Sequence, residues 1–440
     1  MKKTIVVQSP FETVSGYGAK ARDIIRSLVK WADKNNFDVK LVPTPWGGCP
    51  RTALNNCEDR DLFISRVLQG SLPQQPEIFA QISIPNESQP RGKYNIMFTS
   101  GIETTLCRGE WIDGLNRMDL AIVPSNHAKA VFRAAKFKRR DPKTGIETPV
   151  ESTKPIEVLF EGSDTNIYKK TNVSSGKVYD LLNSIPEDFC FLFVGHWLQG
   201  ELGADRKDVG MMIKTFLETF KNRTNPPALI LKTSGANFSE MDKDEILRKI
   251  KRCEETTEAN TLPKIYLVHG ELTDNEINSL YNHEKVKAHI SFTHGEGYGR
   301  PLQEASLSGK PVIAPRWSGH IDFLDDNLAV LLSGELKDVH PSAVNEWIIK
   351  ESKWFGVNYS SASKELKNVY ENYELYLERA EKLRKKNEKE KSLNAMDACL
   401  EEILDRNLPK FQETVDVKLP TLNKMGGSPI GNFPRLKKIK

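Results

Sequence analysis

The segment Thr293-His294-Gly295-Glu296-Gly297-Tyr298-Gly299-Arg300-Pro301-Leu302-Gln303-Glu304-Ala305 concentrates the residue types that could do chemistry. Glycines at 295, 297 and 299 let backbone N–H groups approach a ligand closely, and Pro301 suits the first position of a helix. A helix that begins under a glycine loop aims free amides and the positive end of its dipole at whatever lies above, which favours an anion such as a diphosphate. Glu296 in the loop and Glu304 about one turn inside the helix add two acceptor-only groups, suited to the hydroxyls of a polyol. His294, beside Glu296, is placed to line the same pocket.

Other local patterns carry less. Gly16-Tyr17-Gly18-Ala19-Lys20-Ala21 has the G-x-G-x-x-A spacing of a dinucleotide loop. Its first glycine lies about eight residues beyond the preceding strand, however, and Pro43-Thr44-Pro45 ends the second strand where a ribose-binding acid would stand. Both details argue against a nicotinamide-type site. Asp242-Lys243-Asp244 has a D-x-D spacing but opens a charged helix and reads as a cap. His283, His289 and His294 do not share a helical metal face, and His289 in an apolar strand reads as core. The six cysteines show no Cys-x-x-Cys pair, so neither a zinc site nor a disulfide framework is expected.

Strands alternating with helices must position these groups. Residues 4–8, 37–42, 94–99, 120–124 and 156–160 read as strands, with helices over 19–33 and 125–135. A second series has strands at 191–195, 228–232, 264–268, 288–292 and 311–314 and helices at 210–221, 243–255, 274–282 and 301–308. Such alternation specifies parallel sheets. The polar stretch 171–177 reads as a hinge, giving an N-terminal domain over 1–174, a second over 175–395, and a C-terminal helix with an irregular basic tail over 396–440. At 440 residues the chain is too long for one core, and 38% hydrophobic with 28% charged residues is an ordinary globular balance. No apolar run reaches bilayer length and the first residues turn polar too early for a signal peptide, so a cytoplasmic protein is expected. The net charge, 63 − 59 = +4, is small; basic runs at 382–391 and 435–440 read as a solvated helix face and a tail.

Glu296 and Glu304, with seven residues between them, resemble the E-x7-E motif of glycosyltransferase family 4, and EGYGRPLQEASLSGKPVIA is similar to that family's pattern over its whole length. Glu161-Gly162-Ser163-Asp164-Thr165, Phe193-Val194-Gly195 with Arg206-Lys207, and Gly270-Glu271-Leu272-Thr273 with Leu280-Tyr281 resemble further family segments in order. Ile102-Glu103-Thr104-Thr105, Trp111, Leu115-Asn116 and Val123-Pro124-Ser125 do so in the first domain, so the likeness runs to about residue 330. The resemblance implies a GT-B architecture, two Rossmann-like domains facing across a cleft. It also implies a nucleoside-diphosphate sugar (UDP- or GDP-sugar) as co-substrate, no obligatory metal or other cofactor, and a hexosyl or pentosyl transfer with retained configuration.

By this resemblance Glu296 holds the donor sugar, and Lys207 and Arg206 stabilise the leaving diphosphate. Gly16, Tyr17, Gly18, His196, Lys232, Leu272, His294, Gly297, Tyr298, Gly299 and Glu304 contact the donor, with Glu304 on the ribose. Two departures stand out. His196 occupies the place where the family often has Arg, which shifts diphosphate neutralisation to Lys207 and Arg206. The strand at 94–99 runs on without the family's histidine, leaving Glu103 as the acceptor-side candidate. The acceptor stays open between a glycan, a protein and hydroxymethylated DNA, with no obligatory protein partner inferred. The run ISIPNESQP, followed by GKYNIMFTSGIETT, resembles phage-encoded transferases and brings in DNA. A non-catalytic sugar-nucleotide-binding regulator is the remaining alternative.

Overall fold

A computed structural model describes residues 2–411 apart from 56, 199, 201, 236 and 237; the expected tail over 420–434 and basic run over 435–440 lie outside the described residues. The first half contributes β1 (Lys3–Ser9), β2 (Phe37–Pro43), β3 (Ile78–Ile82), β4 (Tyr94–Phe98), β5 (Leu120–Val123), a hairpin of β6 (Lys136–Arg140) and β7 (Glu147–Glu151), and β8 (Ile156–Val158). The second contributes β9 (Cys190–His196), β10 (Ala228–Ser234), β11 (Ile265–Val268), β12 (Val286–Ile290), β13 (Val312–Pro315), β14 (Val330–Leu332), and an antiparallel pair, β15 (Gly334–Asp338) and β16 (Lys353–Val357).

Each half holds a six-stranded parallel sheet, in the orders β2-β1-β3-β4-β5-β8 and β11-β10-β9-β12-β13-β14. Helices cover both faces, which is why β3 and β5 are buried along their whole length rather than in alternation. The second sheet has the 3-2-1-4-5-6 order of a Rossmann sheet, whereas the first reverses between β1 and β3, as in flavodoxin-like sheets. In either order ligands collect beyond the carboxyl ends of the strands where the winding reverses. That crevice falls between β9 and β12 in the second half, so the loops after His196 and after Ile290 must flank it.

Residues 2–408 pack as one unit. The helix Leu393–Asn407 returns to the first half, where Asp397 pairs with Lys30 at 2.6 Å and Glu401 with Lys34 at 2.8 Å. The sequence reading left β3 unassigned: five residues between two Pro- and Gln-rich loops are too few to show a period. It also placed Gly16-Tyr17-Gly18 in a loop. They form instead the first turn of the helix Gly16–Lys34, because the Ser15 hydroxyl caps it by accepting from the Gly18 amide at 2.9 Å.

Candidate functional site

The two loops at the crevice bring three charged groups together, and a fourth comes from the first half. The loop after β9 carries Arg206 and Lys207, and the loop after β12 carries Glu296. The Lys207 ammonium donates to the Glu296 carboxylate, and Arg206 lies 3.6 Å from Glu296 and 3.7 Å from Glu103, which comes from the first half. Lys207 and Glu296 are both buried. Burial alone would raise the Glu296 pKa, but Lys207 and Arg206 outweigh it and hold the group at about 2, fully ionised. Burial lowers the Lys207 pKa, and the neighbouring Arg206 adds to this against the pull of Glu296. His196, at the end of β9, is depressed by desolvation and then by Lys207, Arg206 and Lys232, so it adds a neutral ring to a cationic site. Lys232 donates to the Gly270 carbonyl at 2.7 Å, and Leu272 packs on the neighbouring core.

Backbone contacts fix the cation loop: the Arg206 carbonyl accepts from the His294 amide at 2.8 Å and the Thr293 hydroxyl at 3.3 Å. Asp208 closes it in a left-handed conformation, φ +50°, with one carboxylate oxygen accepting from the Tyr359 hydroxyl at 2.7 Å. Burial raises the Asp208 pKa from 3.8 to about 7. Between these values the native chain keeps a proton that the unfolded chain has released, so stability is full below pH 4 and is lost as pH rises through 7. Asparagine tolerates the left-handed region, keeps the Tyr359 bond and carries no charge. Asp208→Asn is therefore expected to raise the melting temperature at pH 8 by roughly 2–4 °C and to leave it unchanged at pH 4. A melting temperature equally shifted, or lowered, at both pH values would show that this charge is not the cost.

Around Glu296 the glycine loop is pressed between the halves. A side chain at Gly297 would meet the Ser100 carbonyl at 2.2 Å, and one at Gly295 the Glu103 carbonyl at 2.0 Å. Ser125 donates to the Gly297 carbonyl at 2.6 Å, and the Glu296 amide donates to Ser318 at 2.9 Å. Gly295 and Gly297 thus admit the backbone of the first half. Gly299, at φ +98°, caps the short helix Arg300–Ser306. The Glu304 carboxylate accepts from Arg300 at 2.9 Å, and Arg300 reaches across to Asp23 at 2.7 Å. Burial raises the Glu304 pKa to about 7 despite Arg300, with Asp274 and Asp23 adding to the rise.

Two of the expected donor residues make close contacts within the protein. His294 is stacked on Trp354, and its ring nitrogens face the Phe355 and Gly203 carbonyls at 2.7 and 3.2 Å. Tyr298 is buried in a cluster with Leu302 and Phe323. Asp242 accepts from the Gly235 amide and faces His269 at 2.9 Å, which ties a loop to its helix. Tyr17 stacks on Trp46 with centroids 3.9 Å apart and bonds to Thr99 and Ser100. Tyr17, Trp46, Glu103, Trp111, Trp197, Arg206 and Trp347 line one cleft between the halves.

Sequence reasoning missed Arg300, although an Arg four residues before Glu304 on one helix face is a readable ion pair. It also missed Trp46, Trp197 and Trp347, which no local pattern links.

No protein-family model and no curated protein sequence matches the chain. Solved structures do. HepE of Anabaena in complex with UDP and glucose superposes with a TM-score of 0.60 at 13% identity, over 92% of this chain and 100% of that one. A glycosyltransferase from Rickettsia africae gives 0.59 at 14% over 93% and 100%. WaaG, a glycosyltransferase involved in lipopolysaccharide biosynthesis, gives 0.54 at 13% over 91% and 99%. At such identities the likeness establishes the fold, which is GT-B: two Rossmann-like parallel-sheet domains.

Proposed function

We propose that the chain transfers a sugar from a nucleoside-diphosphate sugar to a hydroxyl acceptor, with retention at the anomeric carbon. The observation that carries this reading is the cluster of buried Lys207 and Glu296 with half-buried Arg206 at the winding reversal of the second sheet, facing Glu103 of the first half. The bond from the anomeric carbon to the diphosphate oxygen breaks, and charge grows on that oxygen. Lys207 and Arg206 are fixed cations whose value rises in a site with little water. The acceptor oxygen bonds to the anomeric carbon, its proton passes to the leaving diphosphate, and no protein base is needed. Glu296 accepts from the donor sugar's hydroxyls, with Glu304 serving the ribose once Arg300 yields one of its oxygens. His196, Lys232, Leu272 and the Gly297–Gly299 backbone complete the donor side; Gly16, Tyr17, Gly18 and Glu103 face it from the first half. The solved complex of HepE with UDP-glucose supports a uridine nucleotide over guanosine.

Calorimetric titration with UDP, GDP and their sugars, beside NAD, tests the donor. Binding of a nucleoside diphosphate with none of NAD is expected; the reverse would turn the reading to an oxidoreductase. Lys207→Ala should then lower turnover at least roughly tenfold. An unchanged rate would mean that Lys207 does not meet the diphosphate. Donor binding without hydrolysis or transfer to any acceptor would favour a sugar-nucleotide-binding regulator.

A further inference from the structure

The antiparallel ribbon of β6 and β7 is a basic surface that the donor chemistry does not use. In the ladder Lys136 faces Glu151, Phe137 faces Val150, Lys138 faces Pro149, Arg139 faces Thr148 and Arg140 faces Glu147. Alternation turns the second and fourth of these pairs inward. Phe137 and Val150 join the core of the first half, and Arg139 pairs with Asp113 on the helix Gly109–Asn116. Lys136, Lys138 and Arg140 therefore project together from the outer face, about 7 Å apart along the strand.

The ribbon, residues 136–151, carries five cations (Lys136, Lys138, Arg139, Arg140, Lys143) against three acids (Asp141, Glu147, Glu151), a net +2 with four of the cations within five residues. Asp141 is occupied by its own turn, accepting from the Lys143 and Thr144 amides. The pairs Lys136–Glu151 and Lys138–Glu147 join side chains that are more than half exposed, so they give way readily to a competing anion. The same helix Gly109–Asn116 presents Trp111 to the cleft, where Trp347 lies 6.3 Å away ring to ring. The cleft's own charges are mixed: Arg206, Arg248, Lys249 and Lys251 stand against Glu87, Glu103, Asp242, Asp244 and Glu245. A cationic ribbon outside a mixed-charge, tryptophan-lined cleft suits an acceptor whose phosphates stay outside while an uncharged planar group enters, which is the form of a base turned out of a nucleic acid.

We propose that the ribbon Lys136–Glu151 docks the phosphate backbone of a DNA acceptor and delivers a hydroxyl-bearing base to the cleft beside Trp111 and Trp347. This rests on the glycosyltransferase reading. An anionic membrane fits less well, because Ile146 is the one large apolar side chain that the ribbon's described residues expose strongly.

The test measures binding of a fluorescent duplex DNA of about 24 base pairs by anisotropy across salt concentrations. The full chain is compared with the charge reversal Lys138→Glu/Arg140→Glu/Lys143→Glu, whose positions are exposed and make no core contact. The native protein should bind with a log–log salt slope near −3, and the variant should bind at least about tenfold more weakly with a shallower slope. Hydrolysis of the nucleotide sugar without acceptor should be equal in both proteins, and transfer to DNA containing 5-hydroxymethylcytosine should fall in the variant alone. Absence of nucleotide-sugar hydrolysis in the native protein would overturn the transferase reading instead. Hydrolysis with no DNA binding, DNA binding that the variant retains, or a variant defect only on vesicles containing anionic lipid would each overturn the docking proposal.

Discussion

Glu296→Gln is expected to lower turnover by about 10²-fold or more while leaving the fold close to native. The substitution keeps the side chain's volume, so it opens no cavity; what it removes is a carboxylate that touches both Lys207 and Arg206. Two consequences follow from the cluster's burial. Hydroxyls of the donor sugar lose a charge-assisted acceptor, and such bonds are about twice as strong as neutral ones. Lys207, already depressed by burial and by Arg206, loses the group that holds its proton, so less of it is charged when the diphosphate departs. The loss falls on the transition state more than on the ground state and should appear in kcat rather than KM. Glu304→Gln supplies the contrast. A ribose contact is made about equally before and during reaction, so that variant should chiefly raise the donor KM. Steady-state transfer or donor hydrolysis, measured beside the melting temperature, separates the two. A Glu296→Gln protein with turnover within about threefold of native would remove Glu296 from the reaction.

What could be read in advance was whatever is local. The loop, the Pro at the helix start and both carboxylates lie within thirteen residues, and the alternation of strands and helices survives because parallel strands are apolar runs bracketed by turns. Long-range placement was not legible. Nothing near Arg206 reveals that it meets Glu103, 103 residues earlier, across a gap between sheets. Trp347 joins Trp46, Trp111 and Trp197 in one cleft because the segment between β15 and β16 meets the first half, where the Thr105 amide donates to the Lys353 carbonyl at 2.8 Å and Arg108 to that of Glu346 at 3.1 Å. The glycines were read for the right property, close approach, but the approaching group at 295 and 297 is protein backbone. A sequence states that a Cβ is unwelcome; it does not state what occupies the space.

That difference makes Gly297→Ala the more telling experiment on the cleft itself. Gly297 is not among the glycines with a left-handed φ, so alanine meets no backbone strain there and the whole effect must come from contact. The added methyl would stand 2.2 Å from the carbonyl of Ser100, two residues beyond β4, whose amide donates to the Tyr17 hydroxyl at 3.0 Å. The loop has no room to retreat: a Cβ at Gly319 would already meet the Gly297 carbonyl at 2.2 Å, and Ser125 holds that carbonyl from the first half. The cheapest relief is for the two halves to part, which draws Glu296 and Arg206 away from Glu103 and withdraws the acceptor side from the donor. Turnover is therefore expected to fall by about 10²-fold or more, since a 1 Å misplacement alone can cost that much. Nucleotide binding, which rests mostly on groups of the second half, should change less than turnover. Gly48→Ala, on the same cleft with no atom within 4 Å of the new methyl, should leave both unchanged. Small-angle scattering should show Gly297→Ala more extended than the native protein. Native turnover with an unchanged radius of gyration would mean that the contact between Gly297 and Ser100 is not required for activity.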